Sequence, residues 1–173
     1  MQLLAESYNI LKNIGGLNNE ELHQAYKKYN RGKLKSFLVE ITAEIFAQKD
    51  DLGKGMLIDK ILDKAKQKGT GKWTSQNAMD FGIPVPTIDA AVTMRGISSL
   101  KSERLAAEKI LKVRVSKPKV DKNKLVKEVG DALFFAFITA YSQGMALLAD
   151  ASKEKGFGLD LEATARIWRG GCI

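Results

Sequence analysis

Apolar side chains recur every three to four residues along most of the chain, which is the period of an amphipathic α-helix. The pattern before residue 67 predicts four helices, with apolar faces over residues 3–11, 22–29 and 34–46 and a shorter helix over roughly 56–66. Gly15-Gly16 and Gly32 follow the first two faces, as is common at helix ends. Asn18 or Asn19 is the expected N-cap of the second helix.

A proline-containing stretch divides the next two predicted helices. The first helix is expected over 75–81, with Thr74 as its N-cap. Ile83-Pro84-Val85-Pro86 follows, and its two prolines exclude a regular helix and favour an extended backbone. Thr87 is then the expected N-cap of a longer helix that runs to about Leu111.

The segment from Leu125 to Leu148 is apolar nearly all round near Phe134, Phe135 and Phe137. Such a pattern is typical either of a central core helix or of a helix at a subunit interface. Gly144 is expected to allow another helix to pack closely. Gly156 and Gly158 end the segment, and a last helix is expected to start at Leu159-Asp160.

These elements predict an all-α fold, a multi-helix domain of about eight helices around one or two long ones, with no convincing strand pair. Helical periodicity begins at Met1 without a capping signal, and the chain ends in an apolar Cys172-Ile173. Both features indicate that the 173 residues are a piece of a larger protein.

Composition narrows the functional classes. A chain of 173 residues with 45% hydrophobic and 28% charged residues has the size and composition of one soluble domain. No stretch approaches the roughly 18 consecutive apolar residues of a membrane span, and no signal peptide is recognisable. One cysteine excludes an intrachain disulfide and fits a cytoplasmic location, and one histidine with one cysteine makes a metal site improbable.

The net charge of +8 favours anionic partners, a class that includes nucleic acid, phosphorylated metabolites and an acidic membrane face. Much of the excess lies in residues 112–124, which carry five lysines and one arginine around Pro118. One reading is an exposed basic connector, and the alternative is a nucleic-acid contact. The run has no interleaved aromatic side chain on which bases could stack.

The run Lys68-Gly69-Thr70-Gly71-Lys72-Trp73-Thr74 carries the most specific chemistry. Two ammonium groups and two hydroxyls supply hydrogen-bond donors, and two glycines let the backbone approach a ligand closely. A helix that starts here would add free N–H groups with affinity for anions. The run therefore suits a phosphate, although it is not a P-loop, and a solvated basic turn that caps a helix is the alternative.

Several longer motifs resemble the decarboxylating 6-phosphogluconate dehydrogenase family. They comprise residues 1–8, 34–42, 67–74, 83–86, 98–104 and 165–173. The resemblance covers essentially the whole chain. It implies that residues 1–173 are a partial helical domain for substrate binding and dimerisation, without the family's N-terminal Rossmann domain and C-terminal tail.

The resemblance also implies the chemistry. The family oxidises 6-phosphogluconate with NADP and releases CO2 and ribulose 5-phosphate. By this likeness, Lys68, Thr70 and Arg95 bind the substrate phosphate, a homodimer forms, and neither nucleic acid nor a membrane is a partner. An arginine fork and a lysine point charge both suit a phosphate dianion. From the residues alone, Arg95 in a mostly apolar helix could instead pair with a carboxylate at the edge of the core.

The chain departs from the full family pattern in its chemical groups. It contains no G-x-G-x-x-G fingerprint, so NADP is expected to be bound mainly by an absent N-terminal domain. The family's general-base lysine and general-acid glutamate would precede Met1. His23 and Glu6 match no catalytic position. The isolated chain is therefore expected to contain no catalytic residue and to be inactive.

Overall fold

A computed structural model describes residues 1–66, 68–111 and 118–169. Within these ranges the protein contains eight α-helices and no β-strand beyond a single antiparallel bridge between Lys49 and Met56. The helices are α1 (Gln2–Asn9), α2 (Asn19–Asn30), α3 (Phe37–Ala47), α4 (Thr70–Asp80), α5 (Pro86–Ser99), α6 (Lys101–Leu111), α7 (Lys122–Lys155) and α8 (Leu161–Trp168). A π-helical turn, Ile10–Ile14, continues α1, and a 3-10 turn spans Leu57–Asp59. The all-α prediction is confirmed.

The larger of two hydrophobic cores joins α1, α2, α3 and the first half of α7. Tyr26 is fully buried at its centre, and its ring packs against Tyr29 and Phe46. Burial raises the pKa of Tyr26 to about 12, and its hydroxyl is hydrogen-bonded to Ser7. Tyr29 donates to the Val126 carbonyl, which ties α2 to α7.

The smaller core lies where α4, α5 and α7 meet, and it is built on Ala78, Val85 and Leu147. Ile83, Pro84 and Val85 lie outside any helix, but Val85 has φ −127° and ψ 51° and Pro86 is the first residue of α5, so the prediction of an extended stretch through Pro86 is wrong in part. Val85 is 1% exposed. Gln143 of α7 reaches the start of α5, where its Oε1 accepts from the N–H groups of Thr87 and Ile88 at 3.0 and 3.4 Å. One side chain of the long helix therefore caps the helix that carries Arg95.

Several signals at the ends of helices were predicted correctly from the sequence. Asn18 caps α2 in a capping box with Glu21, and Asp160 caps α8. Gly156 and Gly158 have positive φ angles of 66° and 62° just beyond α7, so this prediction is also correct.

Other predicted boundaries are wrong. Thr74 does not cap α4, which begins four residues earlier at Thr70, and Thr87 is already inside α5. The helix expected over 56–66 is only the 3-10 turn, and in the residues that follow it Ala65 and Asp63 hydrogen-bond to side chains of α5 and α6. The long helix expected to reach Leu111 breaks at Leu100, whose φ and ψ are −88° and 49°.

The expectation for Gly144 is also wrong within the described chain. A Cβ atom added there would meet nothing within 4 Å. Gly130 is the glycine of α7 that permits close packing, since a Cβ there would lie 2.6 Å from the ring of Tyr29.

Candidate phosphate-binding site

The Gly/Lys run forms the start of α4. Gly69 is the N-cap residue with φ 119° and ψ −43°, a conformation that favours glycine because it has no Cβ. No side chain of the described residues caps this helix, and its first intrahelical hydrogen bond joins the Trp73 N–H to the Gly69 carbonyl. The N–H groups of Thr70, Gly71 and Lys72 therefore precede the first α-helical hydrogen bond and point out of the helix end.

Packing on both sides fixes this helix start. The indole of Trp73 folds back over Gly69, so a Cβ at residue 69 would lie 3.3 Å from the ring. A Cβ at Gly71 would lie 3.1 Å from a methyl of Val92 in α5. The two glycines let the backbone of α4 approach both the indole and α5.

Arg95 lies one turn after Val92 on α5, so the guanidinium and the start of α4 belong to the same corner of the fold. Its Nη2 donates to the Lys66 carbonyl at 3.0 Å. Its Nε is buried without a hydrogen-bond partner among the described residues. No carboxylate of the described residues forms an ion pair with Arg95. The alternative of a core-edge arginine paired with a carboxylate therefore has no support here.

The sequence-predicted residues come together as two neighbouring groups. Lys68 is exposed and directly precedes Gly69, and Thr70 is exposed at the first position of α4. Arg95 reaches the same segment through Lys66, two residues before Lys68. Burial, and after it the positive charge of Arg95, lowers the pKa of the Met1 amine.

Sequence reasoning missed the ion-paired group that holds the segment before Lys68. Asp63 pairs with Lys101 and with Arg104 of α6, and Arg104 also donates to the Asp63 carbonyl at 2.6 Å. Ser98 accepts from the Ala65 N–H at 3.1 Å. The hydrogen bond from Lys101, followed by that from Arg104, lowers the pKa of Asp63. The only sequence signal was the polar motif at 98–104, which supplies all three partners.

A shallow cleft of about 350 Å³ separates the start of α1 from α5. Its wall includes Gln2, Glu6, Thr87 and Ala91.

Among the described residues, no group of three His, Cys, Asp or Glu side chains could hold a metal ion. His23 is a packing residue whose Nδ1 is hydrogen-bonded to the Ala43 carbonyl at 2.7 Å.

The basic run is only partly visible, since residues 112–117 lie outside the described chain. In the described part, Lys122 pairs with Glu21 of α2 at 2.7 Å, and Lys124 lies 3.8 Å from Glu128. These pairs neutralise part of the local charge. No aromatic side chain lies among described residues 118–124. The nucleic-acid alternative therefore gains no support.

The middle of α7 exposes apolar side chains. Phe135, Ile138 and Tyr141 are 71%, 49% and 51% exposed. In the described ranges, α7 is the one helix long and apolar enough to cross a membrane by length and composition alone, with a mean hydropathy of 1.6 over its most apolar window. The same composition suits a helix covered by another protein surface.

Comparison with known proteins identifies the family. The family model described as "6-phosphogluconate dehydrogenase, C-terminal domain" matches residues 1–173. The chain is 51% identical over 178 residues to "6-phosphogluconate dehydrogenase, decarboxylating 2" of Arabidopsis thaliana and 51% identical over 180 residues to a chloroplastic relative of Spinacia oleracea. All of this chain is covered in both matches, but it spans only 37% and 34% of the length of those relatives.

A solved structure agrees with the sequence relatives. The Plasmodium falciparum 6-phosphogluconate dehydrogenase, described in its apo form and in complex with NADP+ and with 6-phosphogluconate, is similar at a TM-score of 0.93 and 45% identity. That match covers all of this chain and 38% of the Plasmodium chain. The chain therefore belongs to the 6-phosphogluconate dehydrogenase family and corresponds to part of its C-terminal domain.

Proposed function

We propose that this chain supplies the phosphate-binding part of the substrate site in an NADP-dependent, decarboxylating 6-phosphogluconate dehydrogenase. In that reaction 6-phosphogluconate gives up a hydride and a proton, releases C1 as CO2, and takes up one proton at the carbon that carried the carboxylate, which leaves ribulose 5-phosphate. NADP supplies the hydride acceptor. No G-x-G-x-x-G run occurs in the 173 residues, so its dinucleotide would be held mainly by other parts of the protein.

The observation that carries this proposal is the convergence of donors at the start of α4. Lys68 supplies an ammonium group and Thr70 a hydroxyl, and the uncapped N–H groups of the first turn add a positive dipole end. Arg95 approaches from α5 with a buried Nε that has no partner among the described residues. A phosphate oxygen at this Nε would satisfy a donor whose burial otherwise costs about 1–3 kcal/mol.

The role of this site in catalysis is to hold and orient the substrate. Fixing the phosphate end removes translational and rotational freedom from the whole six-carbon chain, so the carboxylate end can be presented to groups supplied elsewhere. None of Lys68, Thr70 and Arg95 needs to exchange a proton with the substrate. We expect their loss to weaken binding of the phosphorylated substrate, and the chain alone to bind without turnover.

The test is a titration of the 173-residue chain with 6-phosphogluconate and, separately, with gluconate, which lacks the phosphate. Amide NMR shifts of Gly69 and Gly71 report binding even at millimolar affinity. The Lys68→Ala and Arg95→Ala variants should each weaken 6-phosphogluconate binding about 10- to 100-fold, since charged hydrogen bonds contribute roughly 1.5–3 kcal/mol.

Matched controls come from α2. Lys27→Ala and Arg31→Ala each remove one charge of the same type from an exposed position, and both should leave the affinity unchanged. Equal binding of 6-phosphogluconate and gluconate would contradict the proposal. So would variants at Lys68 and Arg95 that bind as tightly as the unaltered chain.

We further infer that the apolar surface of α7 around Phe135, Ile138 and Tyr141 packs against a second copy of the chain. Phe135, at 71% exposure, is too large and apolar to face water without cost. The Phe135→Glu variant should lower the dimer fraction in sedimentation velocity. Phe157→Glu, at a 64% exposed position in the loop after α7, is the control. Binding to lipid vesicles without any dimer would contradict this inference and favour a membrane surface.

We propose a cytoplasmic location because the sequence has one cysteine, Cys172, and so forms no intrachain disulfide that would need an oxidising compartment. The Spinacia relative is named as chloroplastic, so a plastid is the alternative. Fractionation of source cells with an antibody against this chain separates the two compartments.

A further inference from the structure

The segment that leads into the phosphate site is held by side chains of other elements. Residues 60–66, here called the anchor loop, form no helix and lie mostly at the surface. Four contacts tie it to α5 and α6. Three of them join Arg95 to the Lys66 carbonyl, Ser98 to the Ala65 N–H, and Arg104 to Asp63. Lys101 of α6 forms the fourth, with the Asp63 carboxylate. Lys68 follows the last of these tethered residues by two positions.

Arg104 forms the most extensive of the four contacts. Its Nη2 donates to the Asp63 carbonyl at 2.6 Å and to the Ser98 carbonyl at 3.1 Å. Its Nη1 donates to one oxygen of the Asp63 carboxylate at 3.2 Å, and Lys101 donates to the other oxygen. One guanidinium thus joins the anchor loop to the end of α5.

The break at Leu100 makes this geometry possible. A continuous helix would carry Arg104 past Ser98 along one axis, whereas the non-helical Leu100 starts a new helix. The Arg104 N–H then bonds to the Leu100 carbonyl at 2.9 Å, which places its side chain in the first turn of α6. The positive charge also lies at the C-terminal end of α5, where the helix dipole favours a cation.

We propose that Arg104 is a positioning residue for the phosphate site, because it fastens the anchor loop at Asp63 and thereby keeps Lys68 beside the start of α4 and Arg95. This inference rests on the proposed function of Lys68 and Arg95. Arg104 itself does not touch the ligand. Its guanidinium is committed to three oxygens of the protein, and its Nε is buried without a partner among the described residues.

Lysine cannot replace arginine fully in this role. A planar guanidinium reaches two carbonyl oxygens and a carboxylate from one fixed fork, whereas an ammonium is a single point charge. We therefore expect Arg104→Lys to keep the attraction to the Asp63 carboxylate and to lose part of the hold on the Asp63 and Ser98 carbonyls. Its effects should lie between those of the native chain and Arg104→Ala.

The first measurement is amide hydrogen exchange at Ala65, whose N–H bonds to Ser98. Arg104→Ala should accelerate this exchange at least 10-fold, because opening of the loop then needs less free energy. Asp63→Ala removes the carboxylate contacts of Arg104 and Lys101 but keeps the Asp63 carbonyl, so it should accelerate the exchange by a smaller factor, without altering α6. Arg31→Ala is the control and should leave the exchange rate unchanged.

The second measurement is a double-mutant cycle on binding of 6-phosphogluconate, read from the Gly69 and Gly71 amides. Arg104→Ala alone should weaken affinity about 3- to 10-fold. In the Lys68→Ala background it should change affinity less than 2-fold, because a positioning residue has no effect once the residue it positions is gone. A merely structural role would give the same loss in both backgrounds.

The outcomes separate the two proposals. If Lys68→Ala has no effect on affinity, the proposed function fails. If Lys68→Ala weakens binding but Arg104→Ala adds its full loss on top, the phosphate site stands and the role of Arg104 is refuted. Unchanged Ala65 exchange in both Arg104→Ala and Asp63→Ala would also refute it. Faster Ala65 exchange together with a non-additive cycle supports it.

Discussion

Two glycines of α7 provide a matched pair for testing how this helix is held. A Cβ at Gly130 would lie 2.6 Å from the ring of Tyr29, which is 8% exposed, whereas a Cβ at Gly144 would meet nothing within 4 Å. Both residues are inside the same helix of 34 residues. Alanine should therefore have the same intrinsic effect at both positions and opposite net effects.

The expected magnitudes follow from three terms. Alanine in place of glycine inside a helix stabilises by about 1 kcal/mol. At Gly130 the added methyl overpacks the core, which costs about 1–3 kcal/mol. Displacement of Tyr29 would also weaken its hydrogen bond to the Val126 carbonyl, at about 1 kcal/mol. We expect Gly130→Ala to destabilise by about 1–3 kcal/mol, and Gly144→Ala to stabilise by about 1 kcal/mol.

Urea unfolding followed by circular dichroism at 222 nm measures both variants against the unaltered chain. The m-value should stay constant, so that midpoint shifts report stability. Thermal midpoints should move in the same directions, by about 2–4 °C for each kcal/mol. If Gly130→Ala were as stable as Gly144→Ala, the close approach of Tyr29 to α7 would be refuted.

The remaining predictions concern the site and its supports. Gly69→Ala should weaken 6-phosphogluconate binding at least several-fold, because φ of 119° strains any L-residue by about 1–3 kcal/mol, while Gly96→Ala at an open helical position should not. Gln143→Leu removes the acceptor for the Thr87 and Ile88 N–H groups and should lower the free energy of unfolding by about 1–2 kcal/mol, with a normal urea m-value. The hydrogen bond from Lys12 lowers the pKa of Asp59 below its ordinary 3.8, so this contribution is complete above that pH and is lost as the pH falls through the lower folded value. Asp59→Asn should therefore flatten the decline of the thermal midpoint as the pH falls below about 4, and an unchanged slope would contradict the pairing.

Local sequence signals predicted the elements whose ends depend on neighbouring residues. Each of these end signals acts within one helical turn, so the residue types alone indicate it. They are the cap at Asn18, the paired glycines after α7 and the helix start at Asp160. The same is true of the all-α class, since helical periodicity persists along most of the chain. Packing partners do not contribute to these signals.

The boundaries that the sequence did not reveal depend on contacts between distant segments. Thr87 looks like an N-cap, but Gln143 caps α5 from 56 positions away, and Pro86 can then occupy the first helical turn. Thr74 looks like an N-cap as well, but α4 begins at Thr70, where Gly71 packs against Val92. Thr74 instead donates its hydroxyl to the Thr70 carbonyl inside the helix.

The candidate site divides in the same way. Lys68 and Thr70 stand in a run whose composition suits a phosphate by itself, and family resemblance added Arg95. Asp63 and Arg104 are 41 residues apart, and neither stands in a motif with obvious ligand chemistry. Their pairing depends on the non-helical Leu100, where α5 ends and α6 begins. No local sequence pattern predicts this break.

The two arginines of this corner have different tasks because their donors are used differently. Arg104 donates from both terminal nitrogens to oxygens of the protein, so replacing it should act by loosening the anchor loop. The Nε of each arginine is buried without a partner among the described residues, but the terminal nitrogens of Arg95 form only one recorded hydrogen bond, to the Lys66 carbonyl. An oxyanion that reached Arg95 would complete its donors without breaking the bond to Lys66. Binding at Arg95 and tethering of the anchor loop can therefore reinforce each other, because the ligand and Lys66 are held by the same guanidinium.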